Sequence, residues 1–105
     1  MMHHLVRTLD IEWIEAEGNY ALLRAGSREQ SVRETLASLQ RKLNPRDFLR
    51  IHRSAIVNAN RIREIQPWFH GYHLIVLENG RELRMSRYQR DVAERLGLAP
   101  ISRPD

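Results

Sequence analysis

The stretch FLRIHRSAIVN, residues 48–58, places cationic side chains inside a run of apolar ones. A buried strand disfavours unpaired charges, and a solvated loop disfavours so many large apolar residues. The first half alternates, which predicts a strand with two sets of side chains on opposite sides: Phe48, Arg50 and His52 against Leu49 and Ile51. The alternation breaks at Arg53, so this arginine is predicted to project from a loop. Ile51, Ile56 and Val57 would anchor the strands on either side of that loop.

Length and composition indicate a single folded domain. The chain has 105 residues, of which 42% are hydrophobic, so one core can form and a disordered composition is excluded. No apolar run reaches the ~18 residues of a membrane span, and the N-terminus lacks the apolar segment of a secretory signal. The chain has no cysteine, which excludes disulfides, thiolate catalysis and Cys-ligated metal sites. We therefore expect a cytoplasmic location.

Arginine dominates the charge of the chain. The formal net charge is +4, and all cationic residues but Lys42 are arginines. Residues 41–63 carry seven cations against Asp47 alone, and residues 81–90 carry four against Glu82 alone. The planar guanidinium matches phosphate oxygens and the major-groove edge of guanine. Composition by itself fits a solvated, arginine-rich surface as well as it fits nucleic-acid binding.

The remaining pattern predicts a mainly β fold, with small antiparallel sheets, seven or eight short strands and one or two short α-helices. The pair Asn79-Gly80 predicts a hairpin with a type I′ turn, in which both central residues have positive φ. A final helix is predicted after Ser86, with Ser86 and Gln89 as a capping box and Gly97 just past its end.

A first helix is indicated by leucines at offsets of three and four, which share one helical face: Leu36, Leu39 and Leu43. Its start is open. Ser31 and Glu34 would form a capping box that starts the helix at Val32, whereas Thr35 as the cap would leave Val32 in the preceding strand. A leucine face on a helix in a small β domain usually packs on a sheet, so it does not indicate a membrane or partner helix.

Metal and catalytic sites are poorly supported by the sequence. His70 and His73 are three positions apart, which in a hairpin places them on opposite faces, and no further ligand completes a set. Asp47, His52 and Ser54 lie close together but without a nucleophile elbow, and no phosphate-binding fingerprint occurs. We therefore predict no enzymatic activity, no metal and no cofactor.

Cationic and polar residues at predicted turns fit nucleic-acid binding. Arg53 follows the broken alternation, and Arg87 follows Ser86 at a helix start, where free N–H groups can donate to a phosphate. Asn19 and Tyr20 occupy the first turn. The paired aromatic residues of RNA-binding sheets and the helix pair of a helix-turn-helix are both missing. If the chain binds DNA, its reading side chains come from loops.

Five segments, in order and spacing, resemble the LytTR DNA-binding domain, an output domain of bacterial response regulators: IEWIEAEGNYALL, VRETLASLQRKL, FLRIHRSAIVN, RIREI and ENGRELRMSR. The resemblance covers residues 9–97. It leaves residues 1–8 as a lead-in, whose first four are typical of an expression tag, and residues 98–105 as a tail. It implies small antiparallel sheets with a short helix, and loops that enter successive major grooves of one duplex.

The resemblance also implies roles for individual positions. Base-reading loop positions of the family match four residues here: Asn19, Tyr20, Arg53 and Arg87. Positions near phosphates, which set register without reading sequence, match five others: Arg50, His52, Ser54, Arg84 and Ser86. The role of His52 stays open, because it could contact a phosphate or serve as a structural hydrogen-bonding residue.

The implied function is sequence-specific binding of double-stranded DNA that regulates bacterial transcription. The implied partners are duplex DNA, a second copy on direct repeats, and a receiver or sensor domain outside this chain. Neither a membrane nor a small-molecule substrate is expected. The alternative is a protein-interaction module whose basic face binds an acidic partner domain, and RNA binding is a third reading. A preference for particular duplex sequences at physiological salt separates the first reading from the other two.

Overall fold

The computed structural model describes residues 6–86, 92, 96 and 97, within which eight strands form two antiparallel sheets. Five strands form the first sheet: β1 (Trp13–Glu17), β2 (Tyr20–Ala25), β3 (Arg28–Val32), β4 (Phe48–His52) and β5 (Ala55–Asn58). Their order across the sheet is β3-β2-β1-β5-β4. Three strands form the second sheet in chain order: β6 (Ile62–Pro67), β7 (His73–Leu77) and β8 (Glu82–Met85).

One α-helix of the described residues, α1 (Leu36–Lys42), links β3 to β4. Single 3₁₀ turns occur at three places: Thr8–Asp10, Ala59–Arg61 and Phe69–Gly71. The predicted mainly β fold, with small antiparallel sheets and a short helix, is confirmed. Across the described ranges, no helix is both long and apolar enough to cross a membrane.

The first sheet contributes buried side chains from both of its faces, which explains the apolar run in residues 48–58. One face packs on the second sheet and forms the larger core: Trp13, Leu49, Ile51, Val57, Ile75, Leu77, Leu83, Met85 and Val92. The other face is covered by α1 and forms a second core: Ile11, Ile14, Ala21, Leu36, Leu39, Phe48 and Ile56. Full burial of such a side chain stabilises the fold by roughly 1.5–3 kcal/mol. Ile51, Ile56 and Val57 are at most 1% exposed, so the predicted anchoring around Arg53 is confirmed.

The alternation predicted for β4 holds as far as Ile51 and then fails. Arg50 is opposite Ile56 and His52 is opposite Ala55, with a register shift between the two β4 residues. The Arg50 side chain points to α1, whereas His52 lines a cleft between the sheets. The prediction that they share a side is wrong, because the extra residue of a β-bulge moves the following side chain to the other face.

The structure selects one of the two starts left open for α1. Thr35 is the N-cap, its Oγ1 accepts the Ser38 N–H at 3.0 Å, and Val32 is the last residue of β3. Glu34 instead accepts from the Ser38 hydroxyl and from Lys42 Nζ. Pairing of Val32 with Ala21 keeps this residue in the sheet.

The turn between β7 and β8 is not the predicted type I′ turn. Gly80 has φ +91°, but the φ of Asn79 is not positive. The Gly80 N–H donates to the Leu77 carbonyl at 2.9 Å, and the Leu77 N–H donates to Arg81 at 2.8 Å, which makes a three-residue loop with one left-handed glycine. Asn79 Nδ2 donates to Glu12 Oε1, and Asn79 Oδ1 accepts the Arg81 N–H. These bonds hold Asn79 in a three-residue loop and not in the two-residue loop of a type I′ turn.

The predicted final helix lies largely outside the described residues, and so does Arg87. Of its predicted residues, Val92 is 7% exposed and packs in the larger core. The Leu96 N–H donates to the Val92 carbonyl at 2.9 Å, a bond with helical spacing. Gly97 has φ +75°, the conformation predicted for the residue after a helix.

Candidate nucleic-acid interface

Two turns that carry predicted site residues lie at the same end of the first sheet. One turn, Gly18–Asn19, joins β1 to β2, and the other, Arg53–Ser54, joins β4 to β5. Because β1 and β5 are antiparallel neighbours, the end of β1 lies beside the start of β5. The Ala16 N–H donates to the Ser54 carbonyl at 2.9 Å, which joins β1, near its end, directly to the Arg53–Ser54 turn.

The end of β8 reaches the same place from the second sheet. The Ser86 N–H donates to the Ile51 carbonyl at 2.8 Å, so the residue after β8 is fixed one position before His52 in β4. Ser86 therefore lies beside the Arg53–Ser54 turn, as its predicted role near a phosphate requires. Arg87, the next residue, lies outside the described residues, and its predicted base-reading role stays a prediction.

The predicted reading side chains of the two turns are open to solvent. Arg53 is exposed, and its guanidinium makes no hydrogen bond or ion pair with another residue of the described part of the chain. Asn19 is exposed as well, and Tyr20 is 47% exposed. An exposed arginine on a backbone held by two buried strands can meet a ligand with little ordering of the main chain.

The half-buried Arg50 fixes the backbone of the Arg53 turn through hydrogen bonds. Its Nε donates to the His52 carbonyl at 2.8 Å, and its Nη2 donates to the Arg53 carbonyl at 2.5 Å. Its Nη1 donates to Gln40 Oε1 of α1 at 2.9 Å. Burial lowers the pKa of the Arg50 guanidinium below its ordinary value. Three of five N–H donors are therefore used within the chain, and a phosphate contact, the predicted role of Arg50, would use the other two.

Gln40 is a residue that the sequence reasoning missed. It lies on α1, ten residues before Arg50, and its contact depends on how the helix packs on the sheet. No local spacing signals such a bond, because the pair belongs to different elements.

His52 forms a local hydrogen-bonding unit with Ser54. The Ser54 N–H donates to His52 Nδ1 at 3.2 Å, and the Ser54 Oγ lies 2.9 Å from the same nitrogen. A ring nitrogen that accepts a backbone N–H leaves the proton of neutral imidazole on Nε2. Burial, followed by the positive charges of Arg53, Arg84 and Arg50, lowers the pKa of His52. The imidazole is thus a neutral donor at pH 7, and its structural role and its predicted phosphate role use different nitrogens.

An open cleft of about 300 Å³ lies between the sheets next to this unit. His52, Ser54 and Arg84 line it, together with Glu15 and Arg81. It extends the basic surface of the turns toward the second sheet.

Arg84, a predicted phosphate contact, is stacked on the aromatic rings that follow β6. Its guanidinium carbon lies 5.2 Å from the ring centroid of Trp68 and 5.7 Å from that of Tyr72. Stacking on a ring face orients a guanidinium while its N–H groups stay in the plane, available to acceptors. The position of Arg84 is thus compatible with its predicted role.

The two histidines considered as metal ligands have different surroundings. His73 is 7% exposed, and burial lowers its pKa, whereas His70 is exposed. Among the residues that the structure describes, no three His, Asp or Glu side chains come together in a group able to hold a metal ion.

Comparison with known proteins gives relatives that are longer than this chain. The sensory transduction protein LytT of Bacillus subtilis (strain 168) is 34% identical over 83 residues, which cover 79% of this chain and 34% of that protein. The transcriptional regulatory protein LytR of Staphylococcus aureus (strain N315) is 29% identical over 96 residues, which cover 90% of this chain and 39% of that protein. The chain therefore spans less than half the length of either relative.

A structural match and a family model agree with these relatives. A solved LytTr DNA-binding domain from Bacillus cereus is similar with a TM-score of 0.79 at 27% identity, and the match covers 85% of this chain and 83% of that one. The family model of the LytTr DNA-binding domain matches residues 2–97. The resemblance found in the sequence is thereby confirmed, and the chain belongs to the LytTr DNA-binding domain family.

Proposed function

We propose that this domain binds a specific sequence in double-stranded DNA through loop side chains that enter successive major grooves, and so regulates transcription in a bacterial cytoplasm. The observation that carries the proposal is the convergence of the two turns and the end of β8 on one end of the molecule. The Ala16–Ser54 and Ser86–Ile51 hydrogen bonds create that convergence. A single face with an exposed arginine can approach a duplex from one side.

Arg53 is the main base-reading residue in this proposal. It donates a bidentate pair of hydrogen bonds to the O6 and N7 atoms of guanine, the commonest specific arginine contact in the major groove. Arg87 reads a second base, and Asn19 and Tyr20 contact bases from the first turn. Each good bidentate contact gives ~1–3 kcal/mol of discrimination against other bases.

Phosphate contacts set the register of the domain on the duplex. His52 donates from Nε2, and the Ser86 hydroxyl and the Arg84 guanidinium bind neighbouring phosphates. The Ser54 hydroxyl donates to a phosphate when its proton turns away from His52 Nδ1, which keeps the Ser54 N–H as a donor. Arg50 has two roles, because it fixes the turn through the two backbone carbonyls and has N–H groups left for a phosphate. Such contacts raise affinity for any sequence.

The proposal is tested by selection of duplexes from a random pool, followed by titration of selected and random duplexes at physiological salt. Arg53→Ala is expected to lower the ratio of the two affinities by roughly ten- to a hundredfold, about 1–3 kcal/mol, while affinity for random duplexes changes little. Arg28→Ala is the matched control, because it removes an exposed arginine from the opposite end of the first sheet. Equal loss on both duplexes would make Arg53 a phosphate contact.

The larger protein context is part of the proposal. The relatives are more than twice as long as the region they share with this chain. We propose a receiver or sensor domain as a partner that supplies the signal, and pairs of domains on direct repeats. Half-sites one helical turn apart, about 10 base pairs, would place two copies on the same side of the duplex. A protein-interaction role is favoured instead if no duplex binds and an acidic domain does.

A further inference from the structure

The connection between β6 and β7 presents two large aromatic side chains to solvent. Phe69 is 68% exposed and Trp68 is 42% exposed. Within the described part of the chain, two other large hydrophobic side chains are exposed, Leu9 and Tyr20. Exposed aromatic residues next to each other mark an interaction site more often than isolated ones do.

This connection lies at the same end of the molecule as the Arg53 turn. His73, the first residue of β7, is paired with Met85, the last residue of β8. The next residue, Ser86, is bonded to the Ile51 carbonyl at the end of β4. The aromatic pair is therefore at the end of the molecule proposed to bind DNA, as Tyr20 is, whereas Leu9 lies at the opposite end.

The backbone of the connection is built to hold this position. The Trp68 N–H donates to the Tyr72 carbonyl at 2.8 Å, and the Tyr72 N–H donates to the Phe69 carbonyl at 3.0 Å. His70 has φ +54°, a left-handed conformation that non-glycine residues seldom adopt. Strained residues that persist in a closed loop are frequent where a surface is shaped for a ligand.

The side chains around the aromatic pair favour a negatively charged ligand. Arg84 is stacked on Trp68, and the Trp68 and Phe69 ring centroids are 5.7 Å apart. The segment 66–76 contains no Asp or Glu, so no carboxylate of this segment opposes a phosphate. Arg84 also lines the cleft beside His52, which makes the aromatic pair continuous with the basic surface.

We propose that Trp68 and Phe69 pack on deoxyribose rings of the same duplex that the turns bind, with Arg84 on an adjacent phosphate. The inference rests on the proposed function and adds a fourth contacting element to it. Deoxyribose rings offer an apolar surface flanked by phosphates, which matches aromatic rings flanked by a guanidinium. Such a contact is independent of base sequence, so it strengthens binding to any duplex and does not discriminate between sequences.

Tryptophan fluorescence tests the contact in the unaltered chain. The chain has two tryptophans, and the other, Trp13, is 4% exposed, so acrylamide quenching reports mainly Trp68. Addition of a duplex of about 20 base pairs, two helical turns, is expected to reduce quenching toward the level of a buried indole. Trp68→Phe identifies the signal, because it removes the exposed indole and retains an aromatic ring.

Affinity measurements separate this contact from base reading. Phe69→Ala is expected to weaken binding of selected and random duplexes equally, by roughly tenfold, with an unchanged salt dependence because no charge is removed. Leu9→Ala, which truncates an exposed apolar side chain at the opposite end, is expected to change neither affinity. Phe69 is exposed, so the variant retains the core, and circular dichroism checks its fold.

The outcomes distinguish the two proposals. One outcome would overturn this inference alone: the domain binds the duplex, the quenching of Trp68 does not change, and Phe69→Ala binds as tightly as the wild type. The aromatic pair would then be assigned to contact with a protein partner. Absence of duplex binding would overturn the proposed function together with it. Protection of Trp68, with a sequence-independent loss of affinity in Phe69→Ala, supports both.

Discussion

The guanidinium of Arg50 holds the backbone of Arg53, since Nη2 of the first lies 2.5 Å from the carbonyl oxygen of the second. The same guanidinium binds the His52 carbonyl and is itself held by Gln40 of the helix. One half-buried side chain therefore connects α1 to the turn that carries the proposed reading residue. The sequence discrimination proposed for Arg53 would then depend on a residue that need not touch a base.

Replacement of Arg50 by lysine tests this dependence. Arg50→Lys retains the positive charge but cannot bind two carbonyls and Gln40 at once. We expect the ratio of affinities for selected and random duplexes to fall by about tenfold, about 1.4 kcal/mol, with little change in the salt dependence. Anisotropy titrations at several salt concentrations measure both quantities.

Gln40→Ala is the matched variant on the helix, and a smaller loss in the same direction is expected from it. Two results together would contradict the positioning role and make Arg50 a phosphate contact only. In the first, Arg50→Lys leaves the ratio of affinities for selected and random duplexes unchanged. In the second, Arg50→Ala lowers the slope of log affinity against log salt concentration by about one unit.

Asn58, the last residue of the opening stretch, is predicted to stabilise the fold without a role in binding. It is 1% exposed, its Nδ2 donates to the Ile11 carbonyl at 2.8 Å, and its Oδ1 accepts the Asn60 N–H at 2.9 Å. Asn58→Ala removes the buried bond to the Ile11 carbonyl and the bond from the Asn60 N–H, which should lower the free energy of unfolding by about 1–3 kcal/mol. Urea denaturation measures the loss.

The exposed neighbour Asn60 provides the control. Asn60→Ala removes the bonds from Asn60 Nδ2 to Asp47 Oδ1 and to Asn58 Oδ1, but Asn58 keeps its bonds to the Ile11 carbonyl and to the Asn60 N–H. If Asn58→Ala lowers the free energy of unfolding no more than Asn60→Ala does, the buried Asn58 amide does not stabilise the fold as predicted.

Acid is predicted to destabilise the fold through His52 and His73. Burial lowers the pKa of both, and the neighbouring arginines lower that of His52 further. Their folded-state pKa values lie below the unfolded value of about 6.5, so the unfolded chain takes up protons first as the pH falls. The free energy of unfolding should be constant above the unfolded-state pKa. It should decrease as the pH falls from that value to the folded-state pKa, and this contribution should be lost below it.

Urea titrations at a series of pH values, with wild type and His52→Gln, measure this effect. The variant should lose part of the pH dependence. A wild-type stability that increases as the pH falls through this range would contradict the assignment of neutral histidines.

Local patterns predicted the elements, and long-range contacts decided the details that the patterns left open or got wrong. Alternation and anchoring in residues 48–58 follow from which side chains are apolar. The bulge that places the Arg50 and His52 side chains on opposite faces depends on how β4 pairs with β5. The sequence of β4 alone does not determine that pairing. The choice of Thr35 as helix cap depends on the pairing of Val32 in the sheet.

Asn79 shows the same limit of local information. The dipeptide Asn79-Gly80 favours a type I′ turn by itself, but the Asn79 side chain bonds Glu12, 67 residues away in the sequence. The Arg50–Gln40 bond was missed for a similar reason, because it joins a helix to a strand. The exposed turn position of Arg53, by contrast, was predicted from broken alternation, since a turn tip is a local feature, and its role in binding stays a prediction.

The central claim is that one end of the domain binds duplex DNA, and backbone amide chemical shifts test it most directly. Titration of a selected duplex into the ¹⁵N-labelled domain should shift the amides of residues 17–20, 52–54 and 86. Residues 26–28 and 78–80, in the turns that Glu12 joins at the other end, should keep their shifts. Shifts confined to the Glu12 end, or no shifts at saturating duplex, would contradict the account.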